Sequence, residues 1–520
     1  MRNLLILVLL LSSCGGHHDR YAGFLRIADR DDVPTLDPAH GYDTSSWQFE
    51  DLIFETLVDY NDRGEFEPEL AREWIVDESG TRYVFRLRDD ATFSDGHPVT
   101  AEDVRFQLTR VLALQTGSPG REFFRSIRGA DSCNAPGCSI SGLTVQDDRV
   151  LEINLIHPDP LFLHKMALPF ASAVPRSVVL QRGEDFPLNP VGSGPFYLAE
   201  RVPGQRLVFL PNPFYDKQRK PRLQGIVRFV GVQDDLAWMR YRSGQLDVVS
   251  LPPAETPLVL RDPRLLPLLR SGDTLRTQYV GMNCRLAPFS DVRVRKAMNF
   301  AVDHGKLVAL LHQRAAPARG VIPPTMPGFP AGPTPYPLDR DRARQLLREA
   351  GWGQGFQATL WLRNDETAMR IAQSLQQDWA AVGIDIRLKP LAWGPFLEAV
   401  RHDPRVQMFL LGWEADFPDP SNFLEVLFHS RQISANNHTY YSNRQVDELL
   451  DRAASVTSSE LRLELFRQVE HIVVADAPWV FLYHPRAFVM VSPRVRHFRL
   501  HPWRPPRLQF LELANQNAPH

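Results

Sequence analysis

The sequence predicts an α/β fold, with helices lying on the faces of mixed sheets. Two observations predict it. Apolar residues recur at helical spacing behind capping residues, and short period-two or continuous apolar runs fall between those segments along most of the chain. The 520 residues allow two or three domains at ~150 residues each. Hydrophobic residues are 43% and charged residues 23%, ordinary for a globular chain with a buried core. Lys plus Arg is 59 against 61 for Asp plus Glu, a formal charge of -2 with no basic run, so nucleic acid is not an expected partner.

At the N-terminus, Arg2 precedes the unbroken apolar run Leu4 to Leu11. That run is too short for a bilayer core, which takes about 20 helical residues, but it fits the apolar region of a secretory signal. Leu11-Ser12-Ser13-Cys14-Gly15 follows and resembles a bacterial lipoprotein cleavage box. The resemblance implies a signal peptide over residues 1–14, lipidation of Cys14, and a tether over 15–22. Two or more acyl chains suffice for stable anchoring. Cys133 and Cys138 flank the turn-forming Asn-Ala-Pro-Gly, so a local disulfide is expected, with a zinc half-site as the rival reading. Cys284 is left over and reads as a small buried apolar residue.

From Phe24 onward strands and helices alternate. Tyr83, Phe85 and Leu87 alternate with Val84, Arg86 and Arg88 as in a strand; Asp95-Gly96 turns the chain. Thr100 to Asp103 resembles a capping box ahead of Val104, Leu108, Val111 and Leu112. Asp291 caps a helix with Val294, Ala297, Met298, Ala301 and Val302 inward. Asp339 opens another with Ala343, Leu346, Leu347 and Ala350, stopped by Gly351. A third runs from about Thr367 to Val382, and Gly383 to Leu388 then reads as a strand. Met408 to Leu411 is continuously apolar, as in a strand covered on both faces. Val446 to Ala453 and Leu465 to Val473 supply two more amphipathic helices. Between Pro317 and Pro337 there are eight prolines, yet Val321, Ile322, Met326, Phe329 and Tyr336 intersperse them, so an ordered loop against the body is expected.

Several segments then occur in a telling order: Leu36-Asp37-Pro38, Phe54-Glu55-Thr56-Leu57-Val58, Pro68-Glu69-Leu70-Ala71 before Trp74, and Phe93-Ser94-Asp95-Gly96-His97-Pro98-Val99-Thr100. Later come Asn189-Pro190-Val191-Gly192-Ser193-Gly194-Pro195-Phe196, Pro288-Phe289 through Val292-Arg293-Val294-Arg295, and Gly412-Trp413-Glu414-Ala415-Asp416-Phe417-Pro418-Asp419-Pro420. Together they resemble the family 5 extracellular solute-binding proteins of ABC importers, which include dipeptide, oligopeptide and nickel binders. The resemblance spans about Phe24 to Phe510. It implies a two-lobed periplasmic-binding-protein fold of the large type II kind, with the ligand cleft between lobes. Carried over, lobe one is 21–274 plus 487–520, with an inserted subdomain at about 50–185, and lobe two is 275–486. It further implies a monomer that captures a short peptide and delivers it to a membrane permease complex, with no cofactor. A non-peptide solute (nickel complex, haem, oligosaccharide or opine) is the alternative.

The same resemblance nominates site residues. Asp416 matches the Asp that holds a peptide's α-amino group. Between Trp413 and Phe417, a carboxylate there can combine a charge-assisted hydrogen bond with cation-π support. The competing role, helix capping, suits Asp419 better, with Pro420 at the first helical position. Trp393 and Trp413 match aromatic pocket positions, and Asn436 a polar one. Asp43 and Thr44 fall where lobe one offers its backbone to the peptide main chain. Arg363 stands near an Arg that fixes the ligand carboxylate. No HExxH, GxSxG or phosphate-binding glycine loop is present, which argues against a hydrolase. His429 and His438 are the nearest candidates for a metal carrier, and no metal site is expected.

Overall fold

A computed structural model describes residues 20–216, 220–433, 435–456 and 458–514; residues 1–14, with the Cys14 box, lie outside them. The local signals become elements with their apolar faces inward. Tyr83, Phe85 and Leu87 are buried in the strand Arg82–Leu87. Gly96 turns the chain at φ 92°, and Thr100 donates its backbone N–H to Asp103 at 2.9 Å ahead of the helix Ala101–Leu112. Asp291, Asp339 and Asp365 each accept a first-turn N–H, capping Val292–Phe300, Arg340–Glu349 and Glu366–Ala380. Each such cap is worth about 1 kcal/mol. The inward faces of these three helices share one core with Ile384, Ile386, Met408 and Leu410.

Among the described residues, a twelve-stranded sheet runs through both lobes. At one end Ile384–Leu391, Phe356–Arg363 and Met408–Glu414 are parallel neighbours; at the other Leu25–Ala28 pairs in parallel with Ile226–Phe229. The long strand Trp479–Val491 joins the halves. Its first residues pair with Arg276–Met282, and its last, from Arg486 to Met490, pair with Leu269–Asp273. Just before Arg276–Met282 and within Trp479–Val491, two adjacent antiparallel segments are bridged where Thr274 Oγ1 donates to the Pro485 carbonyl at 2.9 Å.

Beside lobe one, Ala71–Val76, Arg82–Leu87, Val150–Asn154 and Leu143–Asp147 form a separate four-stranded sheet covered by Ala101–Leu112. Cys133 and Cys138 are joined in a disulfide at its periphery. Cys284 is half-buried rather than fully enclosed, and burial pushes its thiol up to about 11. The proline-rich loop is ordered: Val321, Ile322, Met326 and Tyr336 are buried in lobe two. No helix among the described residues is long and apolar enough to cross a membrane.

Candidate functional site

Three parallel strands of lobe two end on one edge, where open α/β sheets present ligand crevices. The loop after Met408–Glu414 carries Asp416 there. Its carboxylate accepts from Asn422 Nδ2 at 3.2 Å, while Asn422 Oδ1 accepts from Trp413 Nε1 at 3.1 Å and from the Asp416 backbone at 3.3 Å. The buried Asn422 amide thus fixes Asp416 and Trp413 together. Burial pushes the Asp416 carboxyl up to about 6, against the lowering effect of hydrogen bonds from Asn422 and Tyr42. No cation pairs with it among the described residues. Asp419 has a different fate: it is buried against Arg462 at 2.8 Å and accepts from Ser421 N at 2.9 Å. Pro420, with helical φ -57° and ψ -26°, directly precedes Ser421–Phe428, and the Asp419 carboxylate that pairs with Arg462 also accepts the first-turn Ser421 N–H.

Lobe one meets this edge with the segment 37–44. Asp37 is buried against Arg110 at 2.7 Å and accepts from Ala39 N, which sets the loop. Asp43 then caps the helix Thr44–Ile53, accepting from Ser46 N and Oγ. Only the backbone of Thr44 is described. The C-terminal end of this helix sits directly on the Val191–Phe196 segment: a Cβ on Gly192 would stand 2.1 Å from Ile53 O, and Gly194 N donates to that same oxygen at 2.7 Å. The two glycines allow backbone approach. Held this way, Tyr42 reaches across the cleft, its hydroxyl 3.3 Å from both Asp416 oxygens, with Trp47, Phe123 and Phe170 around its ring. A second cross-lobe contact stacks His164 on Phe417 at 5.4 Å; burial pulls that imidazole down to about 4.

With this two-sided cleft described, likeness to known proteins has a physical basis. The family described as bacterial extracellular solute-binding proteins, family 5 (middle region), matches residues 65–435. The chain belongs to this family. Heme-binding protein A of Haemophilus influenzae is 28% identical over 480 residues, covering 88% of this chain and 85% of that one. The dipeptide-binding protein of Escherichia coli is 27% identical over 485 residues, covering 89% and 88%. Among solved structures, the clavulanic acid biosynthesis oligopeptide binding protein 2 matches with a TM-score of 0.87 at 26% identity, over 95% of this chain and 96% of that chain. This solute-binding protein is accordingly a binding protein and not an enzyme.

Within the solute-binding protein, the nominated residues fall into three places. Asp416 and Trp413 are linked through Asn422, opposite Tyr42 and Asp43. Arg363 and Trp393 form a second group on the same strand edge, the guanidinium 5.5 Å from the exposed indole and 3.5 Å from Asp365. Asn436 lies in the turn after Ser430–Gln432, its backbone N–H donating to Gln432 O. His429 is buried between Asp447 and Asp451; burial lowers His438 to about 4. The acidic trio Asp59, Glu67 and Glu69 has the spacing of cation ligands, but Asp59 and Glu67 engage Arg507. Tyr42 and Asn422 escaped the sequence reading. Nothing in the sequence singled out either: Asn422 follows Ser421 at a helix start, where polar residues are ordinary, and Tyr42 belongs to no periodic pattern.

Proposed function

We propose that the protein is the substrate-binding component of an ABC import system, that it captures a short peptide between its lobes, and that it acts as a monomer. The observation carrying this reading is Asp416: an acid in the cleft without a cation, oriented by Asn422 and facing the other lobe. A peptide ammonium satisfies it with charge-assisted hydrogen bonds. The backbone at Asp43-Thr44 supports the peptide main chain, and Trp413 lines the first side-chain pocket. Arg363, over Trp393, meets the ligand carboxylate with a planar fork, and Asn436 contributes a polar pocket wall.

Closure follows from the two crossings near 275 and 486, taken as hinges, with lobe one over about 21–274 plus 487–520 and lobe two over about 275–486. A ligand drives closure only by contacting both lobes, as the Tyr42 and Asp416 sides allow. Cys14 carries the lipid that holds the mature chain at the membrane, after removal of the signal peptide and through the tether. The reading is tested by mass spectrometry of small molecules released on denaturing the purified protein. Short peptides are the expected finding. Recovery of haem, the ligand named for the Haemophilus influenzae relative, would replace peptide with a planar solute held by the Tyr42 aromatic group.

A further inference from the structure

We infer that a cavity of about 420 Å³ on lobe one, apart from the Asp416 cleft, binds a phosphate group. Seven of its twelve lining residues are Lys, Arg or His, and Asp62 is the one acid among them. Asp62 is shared by two guanidiniums, Arg499 and Arg504 at 3.3 Å, with the His501 ring at 3.5 Å. Arg507 and Arg222 are satisfied from outside the lining, by Asp59 with Glu67 and by Glu512. Arg499 and Arg504 therefore share Asp62, with Asp59 and Asp51 acting on Arg504 from farther off.

Arg504 is the decisive residue. Its side chain is 6% exposed, and its Nε is buried without a hydrogen-bond partner. Burial, and then the neighbouring Arg507, make its positive charge costly. A guanidinium held almost out of water, with Asp62 shared at 3.3 Å, costs folding free energy, and the charge of an anion in the adjoining space offsets part of that cost without reaching the buried Nε. A phosphate offers several acceptor oxygens, and the guanidinium fork matches them in pairs. The cavity is larger than a bare phosphate needs, and Phe510 and Leu511 give it an apolar wall suited to an esterified substituent.

The cavity also lies beside the place where the chain enters the fold. Arg494, three residues before His497, donates to the carbonyls of Ala22 and Phe24, and Gly23 faces Gln224, two residues after Arg222. With the chain held by the proposed Cys14 lipid, the phosphate can come from a phospholipid headgroup at that membrane; the other source is free phosphate. Calorimetric titration of the full chain in neutral detergent, at fixed ionic strength, separates these sources. The probes are inorganic phosphate and glycerophosphoglycerol, a soluble phosphodiester headgroup.

Binding of at least one probe is expected, and R499Q and K220Q, both on exposed side chains, should each weaken it about tenfold with the melting temperature unchanged. Tighter binding of the diester assigns the lipid headgroup; tighter binding of phosphate assigns the free anion. Absence of heat with both probes, or equal affinity in R499Q and K220Q, overturns the site. D416N should leave this binding intact, so failure here is separable from failure of the cleft reading.

Discussion

If Asp416 receives a ligand ammonium, affinity must fall as the solution becomes mildly acidic. In the free protein burial holds this carboxyl at about 6. A bound ammonium stabilises the carboxylate, so the complex keeps it ionised to lower pH. The sign follows: ligand binding releases a proton from Asp416 below about pH 6 and releases none well above it. At about pH 5 the free carboxyl is roughly nine-tenths protonated, so affinity should drop about tenfold relative to pH 7, near 1.4 kcal/mol. The ligand's own α-amino group, with a pKa near 8, stays charged over this range. Asp416→Asn should abolish the pH dependence, and Asp416→Ala should weaken binding at pH 7 by about 2–5 kcal/mol. Tyr42→Phe removes donors that lower the carboxyl, so its midpoint should move upward. The assay is isothermal calorimetry across this range with the solute recovered from the protein. Wild-type affinity within twofold at both pH values would refute the assignment.

Glu470 offers an independent stability test. Burial raises its carboxyl to about 7 while Val321 and Ile322 donate to Oε1, so the stability it contributes is present below about pH 4.5 and lost as pH rises to about 7; Glu470→Gln should gain up to about 3 kcal/mol near pH 8 and little near pH 4.5 in urea unfolding, and an equal gain at both would refute this. Cys14→Ser should leave the protein unprocessed or released from membranes, and unchanged partitioning into a detergent phase would exclude the lipid anchor. Bound ligand should shrink the radius of gyration in small-angle scattering and raise stability by about 2.7 kcal/mol at a hundredfold excess over Kd. Identical scattering profiles with and without ligand would remove the hinge.

Much of the fold was legible because its signals are local. The caps Asp291 and Asp339 lie within three residues of the N–H groups they satisfy, and the apolar faces behind them repeat every turn. Gly383 and Gly351, at φ 93° and 83°, mark element ends that a side chain would strain. The proline-rich loop was readable for the same reason, since its apolar residues had to be covered by something. Long-range partners were not legible. Tyr42 and Asp416 are 374 residues apart, and no periodicity connects them. Likewise Arg462, forty-three residues downstream of Asp419, pairs with that carboxylate while it accepts from Ser421 N, and no local signal announces the pair.

The segments that carry the family resemblance mostly do structural work around the cleft. Asp37 is spent on Arg110, Glu55 faces Arg88, Gly192 and Gly194 admit the backbone of Ile53, and Asp419 is neutralised by Arg462. Each fixes the angle or position of an element bordering the ligand space, and none presents a free polar group to it. Asp416 differs, since its carboxylate is oriented but unpaired with any cation among the described residues. Shared motifs therefore account for a shared cleft with one acidic anchor, and they leave the remainder of the pocket unspecified. On the proposed reading, that remainder falls to Tyr42, Phe123, Phe170, Arg363 and Trp393, positions outside those segments. Exchanges at such positions leave the Asn422 link to Asp416 and the Asp37–Arg110 and Asp419–Arg462 pairs in place, so on that reading they would change the solute held without turning the acid that faces it.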